Sequence, residues 1–343
     1  MKILHLVSHL GGGVGSVIMG WMDKVIAAND HGHRIICLDY ANEKAKAWAD
    51  KTGFCLADNM GPYSRLFEHE IIDADIVLCH YWDHPMLADL FTDPIPDCRL
   101  VFWCHKNITY SPEELAYPDL WIDTSPIQGH GRYIWSTGGV ERFLEIQPKP
   151  HKGFNVGYVG TVDYKKIHKS FLPMCTAIKD SIGWENVHFT IIGEQNLFHP
   201  EENFACSDGL WPGFTFTSKV DDVAPYLAEM DVFGYPLRPD NYGTSEQVLG
   251  ESMASGVVPV VMANPCEMQI VKHGGNGFVA TTEADYVAHI QYLYNHPSRR
   301  REMADTARVD AKELYSIDTM ISKWNDVFEE LMSQPKRSRK ELR

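Results

Sequence analysis

Residues 251–261 read Glu-Ser-Met-Ala-Ser-Gly-Val-Val-Pro-Val-Val. The first part has the small side chains of a closely packed helix, expected over 246–254, with Gly256 as its C-cap. The run behind it is continuously apolar, as in a parallel strand buried on both faces. This reading puts Glu251 one turn into the helix, where a carboxylate suits the hydroxyl pair of a nucleotide ribose.

Outward from this unit, the same alternation of strands and helices fills the chain. In the first half, 3–7, 34–38, 76–79, 100–103 and 120–122 read as strands, and 14–28 and 85–91 as helices. The stretch Gln147-Pro-Lys-Pro-His-Lys152 reads as a linker. A second series follows, with strands at 155–159, 188–192, 214–216, 232–235 and 257–261 and helices at 170–180, 223–229 and 246–254. Such alternation predicts α/β architecture with two doubly wound parallel sheets, Rossmann-like halves facing across a cleft. The expected domains are 1–150 and 151–315. Apolar residues at 317, 320, 321, 324, 327, 328 and 331 predict a closing helix over 316–332, packed on a domain surface or crossing back to the first domain. Residues 333–343 form a basic tail, expected to be a solvated terminus.

Composition narrows the function. With 44% apolar and 22% charged residues the chain is an ordinary globular protein, and no run reaches the roughly 18 apolar residues of a spanning helix. The formal charge of −15 argues against nucleic acid as a partner. The eight cysteines lie scattered without a C-x-x-C pair and read as buried reduced thiols. The start, Met1-Lys-Ile-Leu-His-Leu-Val7, reads as a buried strand rather than a secretory signal, so a cytoplasmic location is expected. Membrane contact is expected to be weak, at most peripheral at the inner face.

Two glycine-bearing loops follow first strands. Gly11-Gly-Gly-Val-Gly15 precedes a helix, and its bare amides suit an anion, although a tight turn without ligand reads equally well. Gly157-Tyr-Val-Gly160 ends a strand and is followed by Thr161 and the pair Lys165-Lys166; a lysine there suits a diphosphate, with a solvated surface lysine as the equal alternative. His80-Tyr-Trp-Asp-His84 has the His-x3-His spacing of helical zinc ligands but no evident third ligand. His80, Trp82 and His84 read instead as acceptor-site lining, or as ordinary loop packing, with Trp82 able to stack on a sugar face.

Together these segments resemble the retaining glycosyltransferases of family 4, which have the GT-B fold. Glu251 to Val261, followed by Val271-Lys-His-Gly-Gly-Asn-Gly-Phe278, resembles the family's donor signature. Ile191-Ile-Gly-Glu194, the stretch 216–231 and Gly139-Val-Glu-Arg-Phe143 resemble further family segments in the family's order. The resemblance implies that Glu251, as second glutamate of an E-x7-E motif, holds the donor ribose. It implies that Lys166 holds the diphosphate and that His105 lies beside the donor sugar. Gly12 and Gly13 match the loop facing the diphosphate and acceptor, and Val220 falls in the base-binding segment. His105, Lys166 and Glu246 are then the catalytic candidates. Gly12, Gly13, Thr161, Lys166, Val220, Gly243, Thr244, Ser245, Glu246, Gln247, Val248 and Glu251 are the donor-binding candidates.

Two departures stand out. Gly243 occupies the place of the first glutamate, and Gly243-Thr-Ser-Glu246 replaces the usual Glu-x-Phe-Gly; Thr161 stands where an arginine is frequent. The implied activity is metal-independent, retaining transfer, without a cofactor. The donor is a nucleotide diphosphate sugar, UDP before GDP, and the acceptor a glycan or lipid-linked molecule. A monomer or homodimer is expected. A sugar-nucleotide epimerase and a non-catalytic scaffold are the alternatives.

Overall fold

In the computed structural model of the chain, residues 1–30, 32–61, 65–92, 94–194, 212–241 and 243–339 are described. One sheet contains β1 (Ile3–Val7), β2 (His33–Cys37), β3 (Leu56–Ala57), β4 (Ile76–Tyr81), β5 (Leu100–Cys104) and β6 (Leu120–Asp123). Its order is β3-β2-β1-β4-β5-β6, and every pair is parallel. The other contains β7 (Phe154–Val159), β8 (Val187–Ile192), β9 (Phe214–Thr217), β10 (Val232–Tyr235), β11 (Val258–Met262) and β12 (Phe278–Ala280). It is parallel throughout, in the order β12-β11-β10-β7-β8-β9. Both are doubly wound sheets with the same topology, so each has a switch point, β1/β4 in one and β7/β10 in the other, where ligands bind beyond the strand ends.

The chain divides into two compact units, Met1–Gly139 with Tyr242–Ser245 and Ile317–Arg343, and Val140–Asn241 with Glu246–Ser316. The second unit therefore starts at Val140, ahead of the break expected at 150. The reason is local bonding: the Arg308 guanidinium donates to the carbonyls of Leu144 and Ile146, and Lys149 N–H to that of Ala228.

In the first unit, strand alternation sorts the core into two faces. Ile3, Val7, Ile35, Leu78, Val101 and Trp103 pack on one side with the helices Gly12–Ala27 and Ile317–Met332. Leu4, Leu6, Ile36, Val77 and Phe102 pack on the other with Phe67, Leu87 and Phe91. The closing helix buries Ile317, Met320, Trp324, Val327, Phe328 and Leu331 of the stripe read from the sequence, while Ile321 is only partly buried against the same core. Beyond it the tail is not a solvated terminus as far as Arg339. Arg337 and Arg339 both pair with Asp119, and Arg339, only 8% exposed, also donates to the carbonyls of Tyr117 and Cys98. Residues 340–343 lie outside the described residues.

In the second unit, the helix Gln247–Ala254 ends in a Schellman turn: Gly256 N–H donates to Met253 O and Val257 N–H to Ser252 O. The cap residue is Ser255, and Gly256, expected there, follows it at φ +76°, where glycine carries no Cβ penalty. Pro259 is tolerated within β11 because β12 pairs only with Val260, Val261 and Met262. Strand ends β7 and β8 approach so closely that a Cβ on Gly193 would sit 1.7 Å from Gly160 O. Among the described residues, no helix is long and apolar enough to cross a membrane.

Candidate functional site

Each switch point carries its own constellation. In the first unit, β1 runs through Ser8 and His9 into Gly11, and the helix Gly12–Ala27 starts with no acidic residue in its first turn. Its positive end is thus unopposed from within the helix. A pocket of about 550 Å³ opens there, lined by His9, the backbone from Gly11 to Val14, Trp82, His105 and Lys106. His9 stacks on Tyr40 at 5.2 Å and meets the edge of Trp82 at 5.4 Å. Burial, then the neighbouring His84, lower the pKa of His9. His105 is pulled down to about 3 by burial and stands neutral at physiological pH.

Of the expected acceptor residues, only Trp82 lines this pocket. His84 caps the helix Pro85–Leu90, accepting from Met86 N–H, and meets His9 edge-on at 5.8 Å. His80 is fully buried in β4, its two ring nitrogens at hydrogen-bond distance from His5 and His105, so it lines no site. The sequence placed His80 and His84 together by spacing; a strand followed by a loop points them apart. Among the described residues, no group of three His, Cys, Asp or Glu is arranged to hold a metal ion.

The second unit's constellation is denser. After β7 the chain turns on Asp163, 3% exposed, whose carboxylate accepts from the N–H groups of Lys165 and Lys166. Arg238 N–H donates to Lys166 O, tying this loop to the end of β10. The Lys166 ammonium then lies 3.4 Å from Glu246 Oε2 and 5.6 Å from the centre of the Tyr235 ring. Tyr235 Oη donates to the same carboxylate oxygen at 2.5 Å. Glu246 Oε1, also buried, has no partner among the described residues.

Glu246 also has a left-handed backbone, φ 39° and ψ 61°, immediately before the helix Gln247–Ala254. Such a conformation costs a non-glycine residue about 1–3 kcal/mol. The family resemblance places the glycine of Glu-x-Phe-Gly at this position, which explains the backbone but not the carboxylate. Tyr315 Oη and Leu249 N–H, both donating to Glu246 O, hold the strained residue in place. The strain is thus kept in a residue whose second carboxylate oxygen, Oε1, is buried without a partner among the described residues.

Glu267 was missed in the sequence, where nothing distinguishes it from a surface glutamate of the helix Pro265–Ile270. It is fully buried, with Oε1 accepting from Asn264 and Oε2 without a partner among the described residues. Burial first and the Glu246 charge second push its pKa up to about 7. The folded protein thus holds this proton more tightly than the unfolded chain. The stability linked to it is full below the unfolded value near 4.5 and is lost as pH rises through 7. Glu267→Gln is expected to raise stability at pH 8 by roughly 2–3 kcal/mol relative to its effect at pH 4.5. Urea melts of both proteins at the two pH values check this; an equal difference at both would remove the buried proton.

The remaining donor candidates differ in exposure. Thr161 is exposed, and its carbonyl accepts from Tyr158 Oη. Val220, Gln247, Val248 and Glu251 are partly buried, Thr244 buried, and Gly243 and Ser245 intermediate. Gly12 and Gly13 are exposed at the pocket.

Residues 153–296 match the family described as Glycosyl transferases group 1. The matched stretch lies almost entirely within the second unit. The fold over the whole chain is similar to that of HepE from Anabaena, solved with UDP and glucose: TM-score 0.73 at 14% identity, covering 96% of this chain and 100% of that one. A glycosyltransferase from Rickettsia africae gives 0.74 at 12%, covering 97% and 99%. The sucrose-phosphate synthase of Thermosynechococcus elongatus gives 0.67 at 15%, covering 97% and 100%. No curated protein sequence matches. The two Rossmann-like units thus make a GT-B fold, and the similarity of 153–296 to group 1 glycosyl transferases supports transferase chemistry.

Proposed function

We propose that the protein transfers a sugar, with retention of configuration, from a nucleotide diphosphate sugar to a glycan or lipid-linked acceptor. The observation that carries this reading is the second unit's switch point: Lys166 held against the buried, strained Glu246 ahead of the helix that bears Glu251. Lys166 and the first amides of that helix meet the charge that grows on the departing diphosphate. Glu251 accepts from the ribose hydroxyls, and the free oxygen of Glu246 from a sugar hydroxyl. In the first unit, Trp82 and the glycine amides suit a sugar and an anionic group, with His105 as the residue facing the reacting sugar.

UDP is the favoured nucleotide because HepE was solved with UDP-glucose. An acceptor of glycan or polyol type is in keeping with TarM, solved with α-GlcNAc-glycerol and UDP, a structure that covers 74% of this chain at TM-score 0.56. Retention is proposed to follow front-face attack, which needs no protein nucleophile. Cationic side chains and helix starts then do the work often given to a divalent ion.

A thermal-shift panel of UDP, GDP, ADP and TDP and their sugar conjugates, with and without EDTA, tests the reading, since a ligand bound only by the native state raises Tm. One selective, EDTA-insensitive shift is expected, followed by turnover that requires an acceptor. Turnover without acceptor would point to an epimerase, and the absence of any shift to a scaffold.

A further inference from the structure

Four histidines from distant parts of the chain meet in one row across the first unit's sheet. His33 opens β2, His5 lies in β1, His80 in β4, and His105 directly follows β5. Ring nitrogens meet in sequence: His33 Nδ1 and His5 Nε2 at 2.9 Å, His5 Nδ1 and His80 Nε2 at 3.1 Å, His80 Nδ1 and His105 Nε2 at 3.1 Å. His5 and His80 have no exposed surface, and Trp21 and Trp103 pack against them. One end of the row is the pocket, lined by His105. At the other, His33 Nε2 lies 3.8 Å from Asp30 Oδ2.

A neutral imidazole has one N–H and one bare nitrogen. Every contact in the row joins Nδ1 of one ring to Nε2 of the next, so each needs one proton. Either all four rings carry it on Nε2 or all four on Nδ1. A mixed row would set two lone pairs or two protons against each other in a dry core, where nothing else satisfies them. Burial keeps all four rings neutral, with His33 lowered to about 4 and His5 and His80 well below their ordinary value. The two uniform rows differ at the His33 end. One points the His33 N–H at the Asp30 carboxylate, and the other points a lone pair at it. The amino terminus acts on the same ring in the opposite sense but less strongly.

We propose that Asp30 sets the tautomer of His105 from the far end of the row, through His33, His5 and His80, so that His105 is protonated on Nε2 and offers the pocket a bare Nδ1. His105 is then an acceptor for a ligand hydroxyl, and Asp30 and His33 are positioning residues outside the pocket. The inference does not rest on the glycosyltransferase reading, because the tautomer exists in the free protein.

The test is a long-range proton–nitrogen correlation spectrum of the full chain labelled with ¹⁵N-histidine, the His105 signals being assigned by their loss in His105→Gln. The wild type is expected to show one state, with a pyridine-type Nδ1 and a pyrrole-type Nε2. Asp30→Asn keeps an oxygen for the Gly32 N–H that Asp30 Oδ1 now accepts, but removes the charge. It is expected to split His105 into both tautomers, and Asp30→Glu to restore the single state. A proton on Nδ1 in the wild type would overturn the proposal without any variant, as would an unchanged His105 pattern in Asp30→Asn.

Discussion

Lys166→Ala is expected to lower turnover of the sugar donor by roughly 10²–10³-fold, the range seen when one preorganised donor to a developing negative charge is removed. The loop is held independently of the side chain: the buried Asp163 carboxylate accepts from its N–H groups, and Lys166 O accepts from Arg238. The substitution therefore removes a charge from a backbone that stays in place. It also leaves the buried Glu246 carboxylate with the Tyr235 hydroxyl as donor and without the ammonium, a cost to stability that a melting curve measures separately. Two comparisons isolate the catalytic term. Lys166→Arg keeps the charge but spreads it over a planar fork, and should recover only part of the rate. Glu246→Gln leaves Lys166 its charge while removing the nearby anion, so binding of the nucleoside diphosphate alone should be kept. Single-turnover kinetics with saturating donor provides the measurement; a fall of less than tenfold would take Lys166 away from the leaving group.

Glu251→Ala is expected to weaken nucleotide binding by about 1.5–3 kcal/mol, roughly 10–150-fold in Kd, through loss of charge-assisted hydrogen bonds to the ribose. The helix that carries Glu251 is anchored on both sides of it, by Leu249 and Met253 in the core and by the turn at Gly256. Truncating a partly exposed side chain on such a helix leaves its axis where it was. Calorimetric titration with the preferred nucleotide, and with its 2′-deoxy form, separates the outcomes. The wild type should lose affinity for the deoxy form, and Glu251→Ala should scarcely distinguish the two. Unchanged Kd values would remove Glu251 from the ribose.

The two predictions draw on different sources. Glu251 stands out in the sequence because a small-residue helix and an apolar strand fix its surroundings within eleven residues. Lys166 carried equal weight there as a solvated lysine; its contact with Glu246, eighty residues on, exists because β7 and β10 are neighbours in the sheet. Glu246 was read as a sugar-hydroxyl candidate, but its left-handed backbone and its bond to Tyr235 needed coordinates. Val14 onward was read as the first helix, whereas the helix starts at Gly12, because the glycine run that resembles a loop enters the helix directly. His9, Lys106 and Glu267 were missed since no local pattern separates a pocket or core residue of these types from a surface one.

The pair of doubly wound sheets and the closing helix are legible in the residue pattern alone. Strands buried on both faces must be continuous apolar runs, and a helix with one buried face must repeat every three to four residues; both are local demands on composition. Which distant polar groups share a neighbourhood follows instead from the packing of the whole fold. The histidine row, the Lys166–Glu246–Tyr235 cluster, the raised Glu267 pKa and the anchoring of Arg337 and Arg339 on Asp119 all depend on strand order and register. Those are set by how the complete core packs, and a hydrogen bond or charge shift between residues far apart in the chain has no counterpart in the local pattern around either of them.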